Sequence, residues 1–223
     1  MKNLNMNMNA LNIFTDASVS GNYSAPGFIL YDGYNPKCSF VKCLYNSTNN
    51  EGEAYAIKMA ISYVATFGKH YNAINIFSDS MITVKGLREW IRNWIKNIED
   101  GTMYSSSGDE VANQAILLDC IKMIVYYELP IRFYHIDGHK DCNKLKDITK
   151  YISDFRRDNN GININMQLAT FLMSNNTKID ELTRSYLVDG KETAIDCKTD
   201  TLFQSMFPYN IDFEKYFKLI GEE

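Results

Sequence analysis

The chain has 223 residues, 45% hydrophobic and 13% of them aromatic, which suits one sizeable packed domain with an extension. Its formal net charge of −4 excludes nucleic-acid binding by bulk positive charge, though not by a local basic strip. Five scattered cysteines, Cys38, Cys43, Cys120, Cys142 and Cys197, contain no C-x-x-C pair, which argues against a disulfide framework or a zinc site and for reduced thiols in a cytoplasm. The start, MKNLNMNMNALN, lacks the apolar core of a secretion signal, and no apolar run approaches the roughly 18 residues of a membrane span.

Residues 1–10 read as a disordered leader. Three strands are then predicted, LNIFTDAS, APGFILYDG and CSFVKCLYN, separated by Gly, Asn and Pro at spacings that imply an antiparallel meander. After STNNEG the period changes: Ala54, Ile57, Ala60, Ile61 and Val64 share one helical face, and the helix ends near Gly68. YNAINIFSDS reads as a fourth strand. From Met81 to Ile98 the apolar residues Ile82, Leu87, Trp90, Ile91, Trp94 and Ile95 recur at helical spacing, and GDEVANQAILLDCIKMIVYYELP reads as a long helix closed by Pro130. IRFYHIDGH is the fifth strand, so the last two strands join the sheet by parallel crossovers. Residues 140–176 form a polar, Asn-rich stretch with two weak helical patterns. TKIDELTRSYLVDG resumes as a helix, and an aromatic tail with Phe203, Phe207, Tyr209, Phe213, Tyr216 and Phe217 follows.

Three carboxylates stand where chemistry gathers in such a fold. Asp16 lies at or near the end of the first strand, and Asp79 ends the fourth just before a helix. Glu53 sits in the first helical turn on the stripe of Ile57, Ala60 and Val64, pointing toward the sheet. Each also has a plainer reading, as a turn opener, a helix N-cap or an answer to the helix dipole. If the first and fourth strands are neighbours the three converge. Carboxylates about 4 Å apart repel by several kcal/mol per pair at an effective dielectric near 20, which makes cations the natural partners. Hard divalent cations prefer oxygen ligands and substrate phosphates, and two of them serve phosphodiester hydrolysis.

TDAS, STNNEGEAYAI, FSDS, GLREWIRNWIKN, VANQAILLD, IDGHKD and NTKIDELTR occur in order, and together they resemble the type 1 ribonuclease H family over roughly residues 11–186. The resemblance implies an α/β ribonuclease H-like fold with a five-stranded mixed sheet, three antiparallel strands then two parallel, flanked by helices. It implies endonucleolytic cleavage of the RNA strand of RNA–DNA hybrids, giving 5′-phosphate and 3′-hydroxyl ends. Asp16, Glu53, Asp79 and Asp180 would hold two Mg²⁺, or Mn²⁺ in substitution, and His139 would assist proton movement or product departure. Asn22, Asn49, Asn50 and Ser80 match positions that face the hybrid, and Lys85, Arg88, Arg92 and Lys96 are candidates for phosphate contact. Trp90 and Trp94 are expected to pack the helix that bears them.

About forty residues separate His139 from Asp180, where the family has a short loop. Asp137, Asp141, Asp154 and Asp158 therefore compete with Asp180 for the fourth carboxylate. Insertion 140–176 carries Lys140, Lys144, Lys146, Lys150, Arg156 and Arg157, and either contacts a phosphate backbone or is a passive excursion. The expected division is a leader 1–10, a catalytic domain 11–190 with that insertion, and an extension 191–223 that covers the sheet, meets a replication partner or mediates self-association. The rival functions are a catalytically weak hybrid-binding module and a DNA-directed nuclease of the same superfamily. Richness in Asn, Ile, Lys and Tyr points to an AT-rich bacterial or phage genome, and so to a bacterial or host cytoplasm.

Overall fold

Strand β1 (Leu11–Ser20) turns at Gly21, whose φ of +61° suits the tight reversal, and returns as antiparallel β2 (Tyr23–Asp32) with Asp16 opposite Gly27. β3 (Asn35–Val41) and the two-residue β4 (Leu44–Tyr45) both pair antiparallel with β2, so the predicted third strand starts earlier and is interrupted at Lys42–Cys43. The computed structural model describes residues 6, 8–67, 71–99, 101–138, 140–197 and 211–222.

Helix α1 (Asn49–Phe67) begins with a capping box: the Thr48 hydroxyl accepts from Glu51 N–H at 3.3 Å, and the Glu51 carboxylate accepts from Thr48 N–H at 2.8 Å. β5 (Ile74–Ser78) then runs parallel to β1, followed by α2 (Met81–Lys85), a π-helical turn over Gly86–Trp90 and α3 (Ile91–Trp94). A small hairpin of β6 (Ile98–Glu99) and β7 (Thr102–Met103) leads to α4 (Gln114–Tyr127), which starts later than predicted because Gly108 and Asn113 adopt positive φ. β8 (Ile131–His135) is parallel to β5. α5 (Leu145–Asp158) and α6 (Met166–Asp189) follow, then β9 (Ile195–Asp196), parallel to β4, and α7 (Phe213–Ile220).

The main sheet has the order β8-β5-β1-β2-β4-β9 with β3 also on β2, so the five predicted strands stand as expected and two short ones extend them. Alternating side chains divide the core. Ile13, Ile57, Ile76 and Ile121 belong to the face covered by α1 and α4, and Phe14, Phe77, Tyr134, Tyr151 and Leu172 to the face covered by α5 and α6. On the second face Phe14, Phe77, Tyr134 and Phe155 stack in sequence, with centroids 4.8, 5.3 and 6.2 Å apart.

Three expectations change. The stretch 140–176 is no surface excursion: Ile148, Tyr151 and Phe155 line a full α5, and the pattern seemed weak because only these few apolar positions interrupt its charges. The boundary at 176 falls inside α6, where NMQLATFLM and TKIDELTRSYLVDG form one 24-residue helix. Met8 and Ala10 of the leader are buried, and the Asn12 amide donates to Gly33 O at 2.7 Å and to Met8 O at 3.2 Å. Of the tail, α7 packs on α4 and β8, with Tyr216 donating its hydroxyl to Leu87 O at 2.7 Å. Phe203, Phe207 and Tyr209 lie outside the described residues.

Lys58 on α1 and Asp119 on α4 form a buried ion pair at 3.0 Å, with side chains 6% and 5% exposed. Lys58→Met, which leaves buried Asp119 only the more distant Lys122 at 4.0 Å, is expected to cost about 3–5 kcal/mol in chemical denaturation, and Lys58→Met/Asp119→Leu to restore most of it. Equal losses in the single and double variants would show that the pair is not what matters there.

Candidate active site

The parallel register of β1 and β5 ends at Thr15 opposite Ser78, so Asp16 and Asp79 are the next residues along neighbouring strands. Asp16 is 8% exposed and its Oδ1 accepts from Ala17 N–H at 2.7 Å. Glu53 arrives because α1 lies flush on the sheet at Gly52, where a β-carbon would stand 3.0 Å from those of Ala17 and Ser24. Asp180 arrives because α6 crosses the strands at Gly27, where a β-carbon would meet Thr183 Cγ2 at 3.0 Å and Val41 Cγ2 at 2.8 Å. A hydrogen bond of 3.0 Å between the Ser18 and Thr183 hydroxyls fixes that crossing.

These placements act on Asp16 together. Burial and then the charge of Asp79, reinforced by Asp180 and Glu53 and opposed by the Ala17 N–H, raise its pKa from 3.8 to about 7. Asp137 is not among those neighbours. It pairs with Lys140 at 2.8 Å, while Asp141 meets Lys144, Asp154 meets Arg157 and Asp158 meets Arg157. The geometry therefore favours Asp180 as the fourth member. Glu53 accepts from Asn49 Nδ2 at 2.7 Å, and Asp180 accepts twice from Arg184, at 2.8 and 2.6 Å.

Among the described residues no three His, Cys, Asp or Glu side chains stand at metal-ligand spacing. The donor set is nevertheless all carboxylate oxygen, which fits a hard divalent cation, and the charges of Asp79, Asp180 and Glu53 that add to burial in raising the pKa of Asp16 are ones such a cation would relieve. Asp16, Glu53, Asp79 and Asp180 could hold it by turning Glu53 away from Asn49 and Asp180 away from Arg184.

His139 lies outside the described residues. Gly138 before it closes on the site, for a β-carbon there would stand 2.9 Å from Asp79 Oδ2. Asn22, Asn49 and Asn50 are exposed, and the Asn22 carbonyl accepts from Ser47 N–H at 3.2 Å, joining the β1–β2 turn to the segment before α1. The cap of α1 is Thr48. Ser80 is buried as the N-cap of α2, its hydroxyl 2.8 Å from that of Thr83.

Of the four basic candidates, Lys96 and Arg92 are exposed and Lys85 is half-buried. Arg92 lies over the Phe217 ring at 3.8 Å. Arg88 is 5% exposed and is not a surface cation: it donates to Phe133 O at 3.3 Å, Asn159 Oδ1 at 3.1 Å and Asp158 O at 2.7 Å. Its place four residues after Val84 and three before Ile91, both buried, was the signal that it faces inward. Trp94 packs on Gly86, edge-to-face with the more exposed Trp90, as the spacing predicts.

Sequence reasoning missed His135. It is buried at the end of β8, with Nε2 3.2 Å from Asp79 O and Nδ1 3.4 Å from Asp158 Oδ2. Asn159 clasps its backbone, accepting from His135 N–H at 2.9 Å and donating to His135 O at 2.7 Å. Burial holds the imidazole below its ordinary pKa despite Asp158. Nothing in the sequence marks it, because two of its partners, Asp158 and Asn159, come from the C-terminal end of the inserted helix.

The folded-state pKa of Asp16 lies above its unfolded value, so the folded protein holds a proton between about pH 4 and 7 that the unfolded chain has released. The corresponding stability is fully present below about pH 4 and is lost as pH rises through about 7. In EDTA, Asp16→Asn is expected to raise the Tm at pH 8 and to flatten the decline between pH 5.5 and 8. A wild-type slope retained in the variant would contradict this.

A family model described as RNase H matches residues 8–148, which ends before Asp180. The chain is similar to the ribonuclease H of Ruthia magnifica subsp. Calyptogena magnifica, 32% identical over 90 residues that cover 39% of this chain and 58% of that protein. It is similar to the ribonuclease H of Neorickettsia sennetsu, 31% identical over 105 residues, 46% of this chain and 64% of the other. The matched stretches thus span less than two thirds of these relatives. LC11-RNase H1, isolated from compost, aligns in a complex with RNA/DNA hybrid with a TM-score of 0.43 at 16% identity, covering 57% of this chain and 85% of that one. With the family model spanning more than half of its length, the chain belongs to the RNase H family, as a type 1 member.

Proposed function

We propose that the protein is an endonuclease that hydrolyses the RNA strand of RNA–DNA hybrids, leaving 5′-phosphate and 3′-hydroxyl ends, with two Mg²⁺ or Mn²⁺ ions held by Asp16, Glu53, Asp79 and Asp180. The observation that carries this reading is the placing of Asp79, Asp180 and Glu53 around the buried Asp16, whose pKa is raised to about 7 by burial first and then by those charges. Bound there, divalent ions would supply activation of water and stabilisation of the leaving oxygen.

The residues of the chain do the rest. Asp16, once deprotonated, offers the fixed ligand, since its strand and the Ala17 N–H leave it little freedom. Asn49 presents its amide to Glu53, and it and the exposed Asn22 and Asn50 are assigned contact with the 2′-hydroxyls that distinguish RNA from DNA. Lys85 and Lys96, with Lys146 and Lys150 spaced one turn apart on the exposed side of α5, are suited to phosphates. His139 is assigned proton movement at the departing end. This activity suits primer removal or transcript clearance in a replicating cytoplasm.

A second reading, a hybrid-binding module with weak turnover, is favoured by the engagement of Glu53 with Asn49 and of Asp180 with Arg184. End-labelled hybrid, duplex DNA, duplex RNA and single strands, each with Mg²⁺ or Mn²⁺, separate the readings. The nuclease is expected to degrade only the hybrid's RNA strand, and Asp79→Asn to lower the rate by at least about 10²-fold. Hybrid bound but uncut in both metals would favour the binding module, and cleavage of duplex DNA a DNA-directed enzyme. Lys146→Ala/Lys150→Ala is expected to reduce the salt slope of hybrid affinity by about 1–2. An unchanged slope would remove α5 from the interface.

A further inference from the structure

Past Asp180, α6 runs on along β1 toward the β1–β2 turn. Thr183 bonds Ser18, and Leu187 packs with Ala25 and Cys43. At Gly190, where a β-carbon would stand 2.9 Å from both Tyr186 Cε1 and Tyr186 O, the helix gives way to a 3₁₀ turn over Lys191–Thr193. Thr193 N–H donates to Gly190 O at 3.1 Å. β9 then fastens the segment to β4, with Ile195 N–H donating to Cys43 O at 3.1 Å and Cys197 N–H to Tyr45 O at 3.0 Å.

This course sets Lys191 beside the β1–β2 turn. Its ammonium donates to Ser20 Oγ at 3.3 Å and lies 5.5 Å from the centroid of the Tyr23 ring, which in turn lies 5.2 Å from that of Tyr45. Ser20 and Tyr23 flank Gly21 and Asn22, and the Asn22 carbonyl is tied to Ser47 N–H at 3.2 Å. Ser20, Asn22 and Lys191 are all exposed. Among the described residues Lys37, Lys140, Lys144 and Lys215 each meet a carboxylate, whereas Lys191 meets only the hydroxyl and the ring. An ammonium held in place by neutral groups keeps its charge for a ligand, and an anion of the nucleic-acid backbone beside Asn22 is the ligand that this surface offers it.

We infer that Lys191 binds a backbone phosphate of the hybrid on the flank beyond Asn22. The inference rests on the nuclease reading and extends it to a segment that lies outside the matched residues 8–148. Ser20 stands four residues past Asp16 on one strand, about 13 Å at about 3.3 Å per residue. That is about four nucleotides from the cleaved bond at about 3.4 Å per nucleotide of one strand. The segment after α6 thus lengthens the grip on the substrate, and hybrid affinity depends on the length of duplex on that flank.

Lys191→Met in the full chain tests it, because the variant keeps an apolar stem on the Tyr23 ring and loses the charge. Hybrid affinity is measured in EDTA, where nothing is cut, from about 50 to 200 mM salt. The dissociation constant is expected to rise about five- to tenfold near 0.1 M salt, and the salt slope to fall by about 1, on hybrids of any sequence. In Mg²⁺, KM should rise with kcat unchanged, and Lys191→Arg should restore both affinity and slope. Hybrids trimmed to about three base pairs on one flank, then on the other, should in one of the two cases bind wild type and variant equally. An unchanged slope in Lys191→Met, or an equal fall in Lys37→Met on β3, would overturn the contact while leaving the nuclease reading intact. A wild type that neither binds nor cuts hybrid would end the nuclease reading and this contact with it.

Discussion

Asp16 is buried with three further carboxylates bearing on it, and like charges in that position drive the surrounding elements apart unless the backbone leaves them no room to separate. Two contacts meet that requirement. Gly52 sets the first turn of α1 against Ala17 and Ser24, and Gly27 admits α6 across the strand opposite Asp16. A methyl group at either position would lift a helix off the sheet and carry Glu53 or Asp180 with it. The acidic cluster is therefore held by close packing of backbone, while its charges oppose the packing.

The second core face shows how an addition became part of the support. Phe14, Phe77 and Tyr134 stack across β1, β5 and β8, and α5 continues the row with Phe155. Through Asp158, Asn159 and the buried Arg88, the end of α5 is also tied to His135 and to the helical segment after β5. The inserted helix thus grips β5 and β8 near the ends from which Asp79 and the Gly138 turn project.

Much of this was legible in the sequence. The five main strands follow their apolar runs, and Asp16, Glu53 and Asp79 stand where a strand end or a first helical turn must place them. Other features depend on partners far away in the chain. For Arg88 the spacing from Val84 and Ile91 pointed inward, but the groups that accept from it, Asp158 O and Asn159 Oδ1, stand at the end of a helix whose few apolar positions gave little periodic signal. His135 offered no motif, since its role comes from the register of β8 beside β5 and from Asn159. The short β9 was illegible for a different reason: two residues are too few to show an alternation.

The continuity of α6 has a consequence for the order in which the molecule is built. Asp16, Glu53 and Asp79 fall within the first 79 residues, but Asp180 lies more than 160 residues after Asp16 and shares one helix with Leu168 and Leu172 of the second core face. Contacts so distant along the chain carry the largest loop-closure cost and tend to form late. During synthesis the first three acids can be in place, on a sheet already paired, while the fourth is still being translated. The folding nucleus and the finished acidic cluster are then separate events, and the docking of α6 is the step that joins them.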